Sequence, residues 1–224
     1  MTADGTTSDV RLTDAVLTDE GLTPANVPDA TGRVLVIGCG ALAREIMALI
    51  RANEMGHVDL TCLPAILHNR PERIAPALEA AIVEQGAGYD SVFVAYADCG
   101  SGGDIARVCA RHGAEMIEGP HCYSFFEGNA RFAETGEVTS FYLTDFLTRQ
   151  FDAFVIKPLG LDRHPQLRDI YFGNYETLVY LAQTDDPALD AKAEAAAARL
   201  GLAYQRRFTG FGDLAAAIAG LPDG

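Results

Sequence analysis

Three cysteines stand where apolar, strand-like runs give way to loops: Cys39 after Arg33 to Gly38, Cys99 after Val92 to Asp98, and Cys122 beyond Ala114 to Glu118. In an open parallel α/β sheet the carboxyl ends of the strands line one crevice, where residues distant in sequence converge. Thiolates gathered there form a soft-metal site. Three cysteines with one histidine suit tetrahedral zinc, and three cysteines can also hold an iron-sulfur cluster with one iron left open. The metal-ligand candidates are therefore Cys39, Cys99 and Cys122, with His68 or His121 as a fourth donor. The chain has no compact CxxC pair, so convergence rests on topology. The plainer reading is that free cysteines pack as small hydrophobes; against it, each of the three lies beside a glycine or a polar residue. Cys62, inside an apolar run, and Cys109, on a helical stretch beside Val108, serve as internal controls with core packing as their expected fate.

Around these thiols lie further groups that could do chemistry. His68-Asn69-Arg70-Pro71 is a compact polar cluster, in which His68 could ligate a metal or act as acid or base and Arg70 could pair with a carboxylate. Asp98 adds a carboxylate next to Cys99, so His68, Arg70 and Asp98 are the candidate catalytic residues. Tyr96, Tyr123, Tyr142, Thr144 and Asp145 are candidate supporting groups around a metal. Gly38-Cys39-Gly40-Ala41-Leu42-Ala43 fits G-x-G-x-x-A directly after a strand, the setting of a dinucleotide fingerprint, which makes Gly38 and Gly40 candidate cofactor-binding positions for NAD(P). The end of the second strand, Cys62-Leu63-Pro64, lacks the acid that would hold the ribose, so tight packing around a functional cysteine fits the turn equally well. Cys99-Gly100-Ser101-Gly102-Gly103 also joins a strand to a helix, and its backbone N-H groups, with Gly100 and Gly102, could cradle an anion or a cluster sulfide. It lacks the Gly-Lys-Ser/Thr ending of a P-loop.

The elements that would position these residues follow from periodicity. Strand-like runs at 33–38, 58–63, 91–97 and 114–118 alternate with helical spacing at Leu42-Ile46-Leu49-Ile50, at Ile74-Leu78-Ile82 and over 104–112, the last stopped by Gly113. This alternation predicts an α/β fold: an open, mostly parallel sheet with helices on both faces, a Rossmann-like three-layer sandwich. Farther on, 141–155 is apolar and aromatic with helical spacing, 165–176 reads as helix, 177–182 as strand, 187–200 as helix, 202–208 as strand, and a short helix closes the chain. With 224 residues and 49% hydrophobic composition, one α/β domain over 33–224 is expected. Residues 1–32, with six acids and one base, read as a flexible or loosely packed N-terminal arm. A net charge of −14 disfavours nucleic acid and anionic membrane surfaces as partners. No apolar stretch is long enough to span a bilayer and no secretory signal is visible, so a cytoplasmic home with reduced thiols is expected.

The ordered motifs Cys39-Gly40, Leu67 to Pro71, Tyr96-Ala97-Asp98-Cys99-Gly100, His121-Cys122-Tyr123 and Phe141 to Thr144 resemble a bacterial and archaeal domain family of unknown function, over roughly residues 33–210. Members are often encoded beside trimethylamine-methyltransferase-like corrinoid enzymes. Many relatives carry an acid between the histidine and the cysteine of the fourth motif, whereas here His121 directly precedes Cys122. The resemblance implies a part in corrinoid-linked one-carbon or methylamine metabolism, with a corrinoid protein or a methyltransferase as partner, a setting that the zinc or iron-sulfur centre read from the thiols would suit; a small-molecule substrate is a further expected partner. Two other expectations stand beside it: a Rossmann-type NAD(P) oxidoreductase, and a non-catalytic accessory protein of a corrinoid methyltransferase.

Overall fold

In a computed structural model, which describes residues 13–24, 32–135 and 137–222, the chain forms two parallel sheets wrapped by helices. The first comprises β1 (Val34–Cys39), β2 (Val58–Leu63), β3 (Ser91–Ala95) and β4 (Glu115–Met116) in the order β2-β1-β3-β4. Every residue of β1 is buried, as a near-continuous apolar run must be when helices cover both faces of a parallel strand. The connecting helices α2 (Ala43–Ala52), α3 (Ile74–Gln85) and α4 (Asp104–His112) supply that cover. Gly113, at φ 65°, ends α4 in the left-handed conformation that glycine adopts without steric cost.

Strand order decides where a site can form. From β1 the chain crosses to β2 on one side, then passes back to β3 on the other, so the connections diverge at the carboxyl ends of β1 and β3 and leave a crevice there. Parallel register sets Gly38 beside both Cys62 and Ala95, which brings the loops after β1, β2 and β3 to one edge.

The predicted single sheet is divided. β4 pairs through only two residues, Glu115 and Met116, and the chain then turns through Gly119 and Pro120 into α5 (Ser124–Glu127) and α6 (Asn129–Thr135). A second sheet, β5-β6-β7, follows from β5 (Ser140–Leu143), β6 (Thr177–Ala182) and β7 (Ala203–Phe208). The stretch 141–155, read as helical, begins as β5 and becomes α7 (Asp145–Arg149) and a π-helical turn, Asp152–Ile156. Thr144 makes the switch: extended at φ −110° and ψ 176°, it accepts a hydrogen bond from Leu147 N-H and so caps α7. Of the helix predicted over 165–176, a 3-10 turn and the short α8 (Arg168–Phe172) form, and α9 (Pro187–Leu200) follows as predicted. The closing helix α10 (Gly212–Ala219) returns to pack on α5 and α2, joining the two sheets' surroundings.

Part of the segment read as a loose arm is packed. α1 (Asp14–Asp19) buries Leu17 completely, and Leu22 pairs with Cys62 in a short antiparallel bridge. The remainder of that reading, over 1–12 and 25–31, lies outside the described residues. Among the described residues, no helix is long and apolar enough to cross a membrane.

Candidate metal centre

β3 runs on through buried Tyr96 and Ala97 to Asp98 and Cys99. Two backbone hydrogen bonds join this loop to the one after β4: Asp98 N-H to Gly119 O and Cys99 N-H to Pro120 O, both 3.0 Å. The pairing carries Cys99 to Cys122, and their sulfurs lie 3.2 Å apart. Cys99 sits at φ 46°, a left-handed backbone that a side-chain-bearing residue adopts at a cost of order 1–3 kcal/mol. The surrounding loop holds that conformation and aims its thiol at Cys122.

His68 completes the group. It lies on the 3-10 turn Ala65–Asn69 that follows β2, and one ring nitrogen of His68 with Cys99 and Cys122 Sγ forms a set of donor atoms all within 4.8 Å of one another. His68 Nδ1 lies 3.1 Å from the Ala65 carbonyl and 3.7 Å from Cys39 Sγ. A carbonyl accepts only, so Nδ1 carries the proton and Nε2 is left for the sulfurs of Cys99 and Cys122. Metal-binding histidines are oriented in this way by the partner of their other nitrogen. The ring also stacks on Tyr96, centroids 5.6 Å apart.

The electrostatics of the cluster are strongly polarised. Hydrogen bonding from Cys122, and then His68, hold the Cys99 thiol down to about 5 against its burial. The same Cys99 partnership, followed by burial, pushes Cys122 well above the usual thiol value. For His68, burial favours the neutral ring, yet the sulfurs of Cys39 and Cys99 carry its pKa well above the ordinary imidazole value. These directions favour, without metal, a thiolate at Cys99 beside a protonated His68 and a neutral Cys122. Tyr96 is fully buried, and no hydrogen bond of ordinary geometry satisfies its hydroxyl. Burial, then the sulfurs of Cys39, Cys122 and Cys99, raise its pKa, so an unsatisfied donor faces a sulfur-rich environment.

The cluster forms one wall of a cavity of about 300 Å³ between the two sheets. Leu42 and Phe126 line it from the first sheet's side, and Phe141, Tyr142, Phe146 and Leu147 from the second's. His121, expected as a ligand, lines this cavity and stacks on Tyr123, which stacks on Tyr142 in turn, with centroid separations of 4.9 and 5.4 Å. It is outside the close donor set, where His68 takes the histidine's place. Cys39 is fully buried behind His68, accepting the Ala41 N-H at 3.3 Å and capping the 3-10 turn Gly40–Leu42; it touches the centre through the imidazole.

Other expected site residues serve the scaffold. The Asp98 carboxylate accepts from Ser101 Oγ and from the N-H groups of Gly102 and Gly103. The Gly103 N-H leads the interactions that lower its pKa, with Gly100 also contributing, so the loop amides expected to cradle an anion face their own aspartate. Arg70 is exposed and is not among the residues that line the cavity. The turn at Gly38 and Gly40 is tightly packed: a Cβ at Gly40 would lie 2.2 Å from the Leu17 carbonyl of α1, and one at Gly38 would meet Ile46 Cδ1 at 2.9 Å. Tight packing accounts for both glycines. Asp145, expected near a metal, is buried and ties α7 to the end of β6, accepting from the Tyr180 hydroxyl, Gln183 N-H and both donors of Thr184. Cys62 and Cys109 pack in the core as anticipated. Periodicity did not reveal the cavity wall over 141–147, although the alternation of Phe141 and Leu143 about Tyr142 carried the strand signal.

Fold and site together define a two-sheet parallel α/β protein with a thiol-imidazole cluster at the carboxyl edge of its first sheet. The family of proteins of unknown function designated DUF1638 matches residues 62–218, and the chain belongs to it. The matched span takes in His68, Cys99 and Cys122 and begins beyond Cys39. No curated protein and no solved structure matches the chain.

Proposed function

We propose that this protein binds one soft divalent ion, zinc foremost, through Cys99, Cys122 and His68. The observation that carries this reading is the mutual closeness of the three donor atoms, all within 4.8 Å. Around a tetrahedral zinc with Zn–S near 2.3 Å, sulfurs stand about 3.8 Å apart, so small adjustments would admit an ion. The Ala65 carbonyl on His68 Nδ1 and the unsatisfied Tyr96 hydroxyl further support it. A cubane iron-sulfur cluster, whose cysteines bind different irons, needs donors spread more widely than these. Three protein ligands leave a fourth position for a small molecule, the pattern of a catalytic zinc rather than a structural one.

Bound metal would supply Lewis acidity or a low-pKa ligand at that position. In the corrinoid-linked methyl metabolism implied by the family resemblance, such a centre would activate a thiol, and a corrinoid protein or methyltransferase would be its partner; co-purification with such a partner tests that part. For the metal itself, anaerobically purified protein is expected to carry about one zinc per chain without a visible chromophore. Cys99→Ala, Cys122→Ala and His68→Ala each abolish stoichiometric binding, whereas Cys109→Ala retains it. Equal metal content in all four variants, or a brown chromophore, would overturn the zinc assignment.

A further inference from the structure

The cavity in front of the cluster is built for a particular kind of molecule. Its volume, about 300 Å³, is that of roughly ten water molecules and lies at the small end of ligand pockets. Among the described residues that line it there is no Lys, Arg, Asp or Glu, in a chain that is 21% charged. Its walls are mainly rings and aliphatic carbons; the donors of His68, Cys99 and Cys122 lie together at one place on them, and the other polar side chains of the lining, Asn69, His121, Tyr123, Tyr142 and Thr144, are all uncharged or imidazole. Both sheets contribute to it, so the space belongs to the fold as a whole.

A charged ligand would lose its hydration there and find no Lys, Arg, Asp or Glu side chain on the walls to pair with. A divalent ion held by two thiolates and a neutral imidazole is uncharged overall, so beyond its one open coordination position it offers no counter-charge to a carboxylate or an ammonium group on the body of a ligand. The soft end instead favours sulfur as the incoming donor. We propose that the cavity binds a small, uncharged thiol with an aromatic or branched apolar body, its sulfur directed at the Cys99–Cys122–His68 centre and its body against Phe141, Phe146 and Leu147. The proposal rests on the metal reading for its sulfur half and on the cavity alone for its apolar half.

Two titrations separate these. Cobalt added to the purified apo-protein reports the metal centre through its visible bands, with saturation expected at one ion per chain. Benzyl mercaptan added to the cobalt-loaded protein is expected to shift those bands, and to bind at least tenfold more tightly than 3-mercaptopropionate, which carries the same donor on a charged body. Leu147→Trp, which fills the cavity, weakens benzyl mercaptan at least tenfold while cobalt stoichiometry stays at one. Should Leu147→Trp melt abnormally, Phe141→Ala, which removes part of the wall, replaces it with the same direction expected. Equal or tighter binding of 3-mercaptopropionate, or undiminished binding by a folded wall variant, overturns the proposal. If cobalt is not retained, the metal reading fails by itself; calorimetry on the metal-free protein with the same two thiols then decides the cavity half, with benzyl mercaptan again required to bind more tightly.

Discussion

At the scale of single residues, the centre depends on unequal neighbours. Cys99 is the more acidic thiol because Cys122 and His68 stabilise its thiolate, and Cys122 is held above the usual thiol value by the same contact and by burial. In metal-free protein, thiolate absorbance near 240 nm should show one cysteine ionising with a midpoint near 5. Cys122→Ala, which removes the largest stabilising contact, should move that midpoint toward the ordinary thiol value near 8.5, and a midpoint unchanged in that variant would contradict the pairing. Sulfurs at 3.2 Å are also placed for oxidation. A low-molecular-weight disulfide attacked by the Cys99 thiolate would form a mixed disulfide, from which Cys122, on losing its proton, would displace the second thiol. The outcome expected is a Cys99–Cys122 disulfide seen by mass spectrometry, with release of bound metal. Cys39 acts through His68, so Cys39→Ala should weaken metal binding by roughly 10–100-fold, as loss of a ligand's supporting partner does, without abolishing it.

At the scale of elements, α2 and α7 meet over a seam of buried polar groups. Glu45 on α2 is 5% exposed, and burial raises its carboxyl to about 7 against the opposing pull of Arg149 and Arg44. One Glu45 oxygen, Thr148 Oγ1 and one Arg149 nitrogen there are buried without hydrogen-bond partners. Because the folded pKa lies above the unfolded one, the folded state holds this proton longer. The contribution is full below about 4.5 and is lost as pH rises through about 7. Between pH 5 and 8, thermal stability of the native chain should therefore fall more steeply than that of Glu45→Gln, by up to roughly 3 kcal/mol; parallel profiles would refute the assignment. α1 is the other sensitive element. Gly40→Ala would drive a methyl group into the Leu17 carbonyl, so α1 must lift; a loss of about 1–3 kcal/mol is expected, with faster proteolytic cleavage in residues 13–24.

At the scale of the molecule, the two sheets are held as one body by contacts that cross between them. Asp14 of α1 pairs with Arg44 of α2 at 3.1 Å and with Arg149 of α7 at 2.9 Å. Arg207 of β7 reaches Glu127 of α5 and Glu137, each at 2.7 Å. Since the cavity needs both sheets, these ties should govern it as well as stability. Asp14→Ala is expected to cost about 1 kcal/mol, a few degrees in Tm, and to speed hydrogen exchange in β5 and α7 relative to β1. Uniform exchange changes would mean that the pairs do not couple the halves.

The alternating pattern of apolar runs and helical spacing determined the parallel α/β class and put the thiols at strand ends, because burial on both faces writes itself into composition and strand direction follows from the crossovers. The identities of Cys62 and Cys109 as core residues were legible for the same reason. What only the tertiary structure decided was which donors meet. His68 displaced His121, and Cys39 withdrew behind the imidazole, because these outcomes depend on loop conformations such as the left-handed Cys99 and on hydrogen bonds between loops distant in sequence. The cavity was equally hidden: the apolar and aromatic positions of 141–155 fit helical spacing throughout, and only the capping Thr144 and a second sheet divide them between β5 and α7 and fix which side each ring faces.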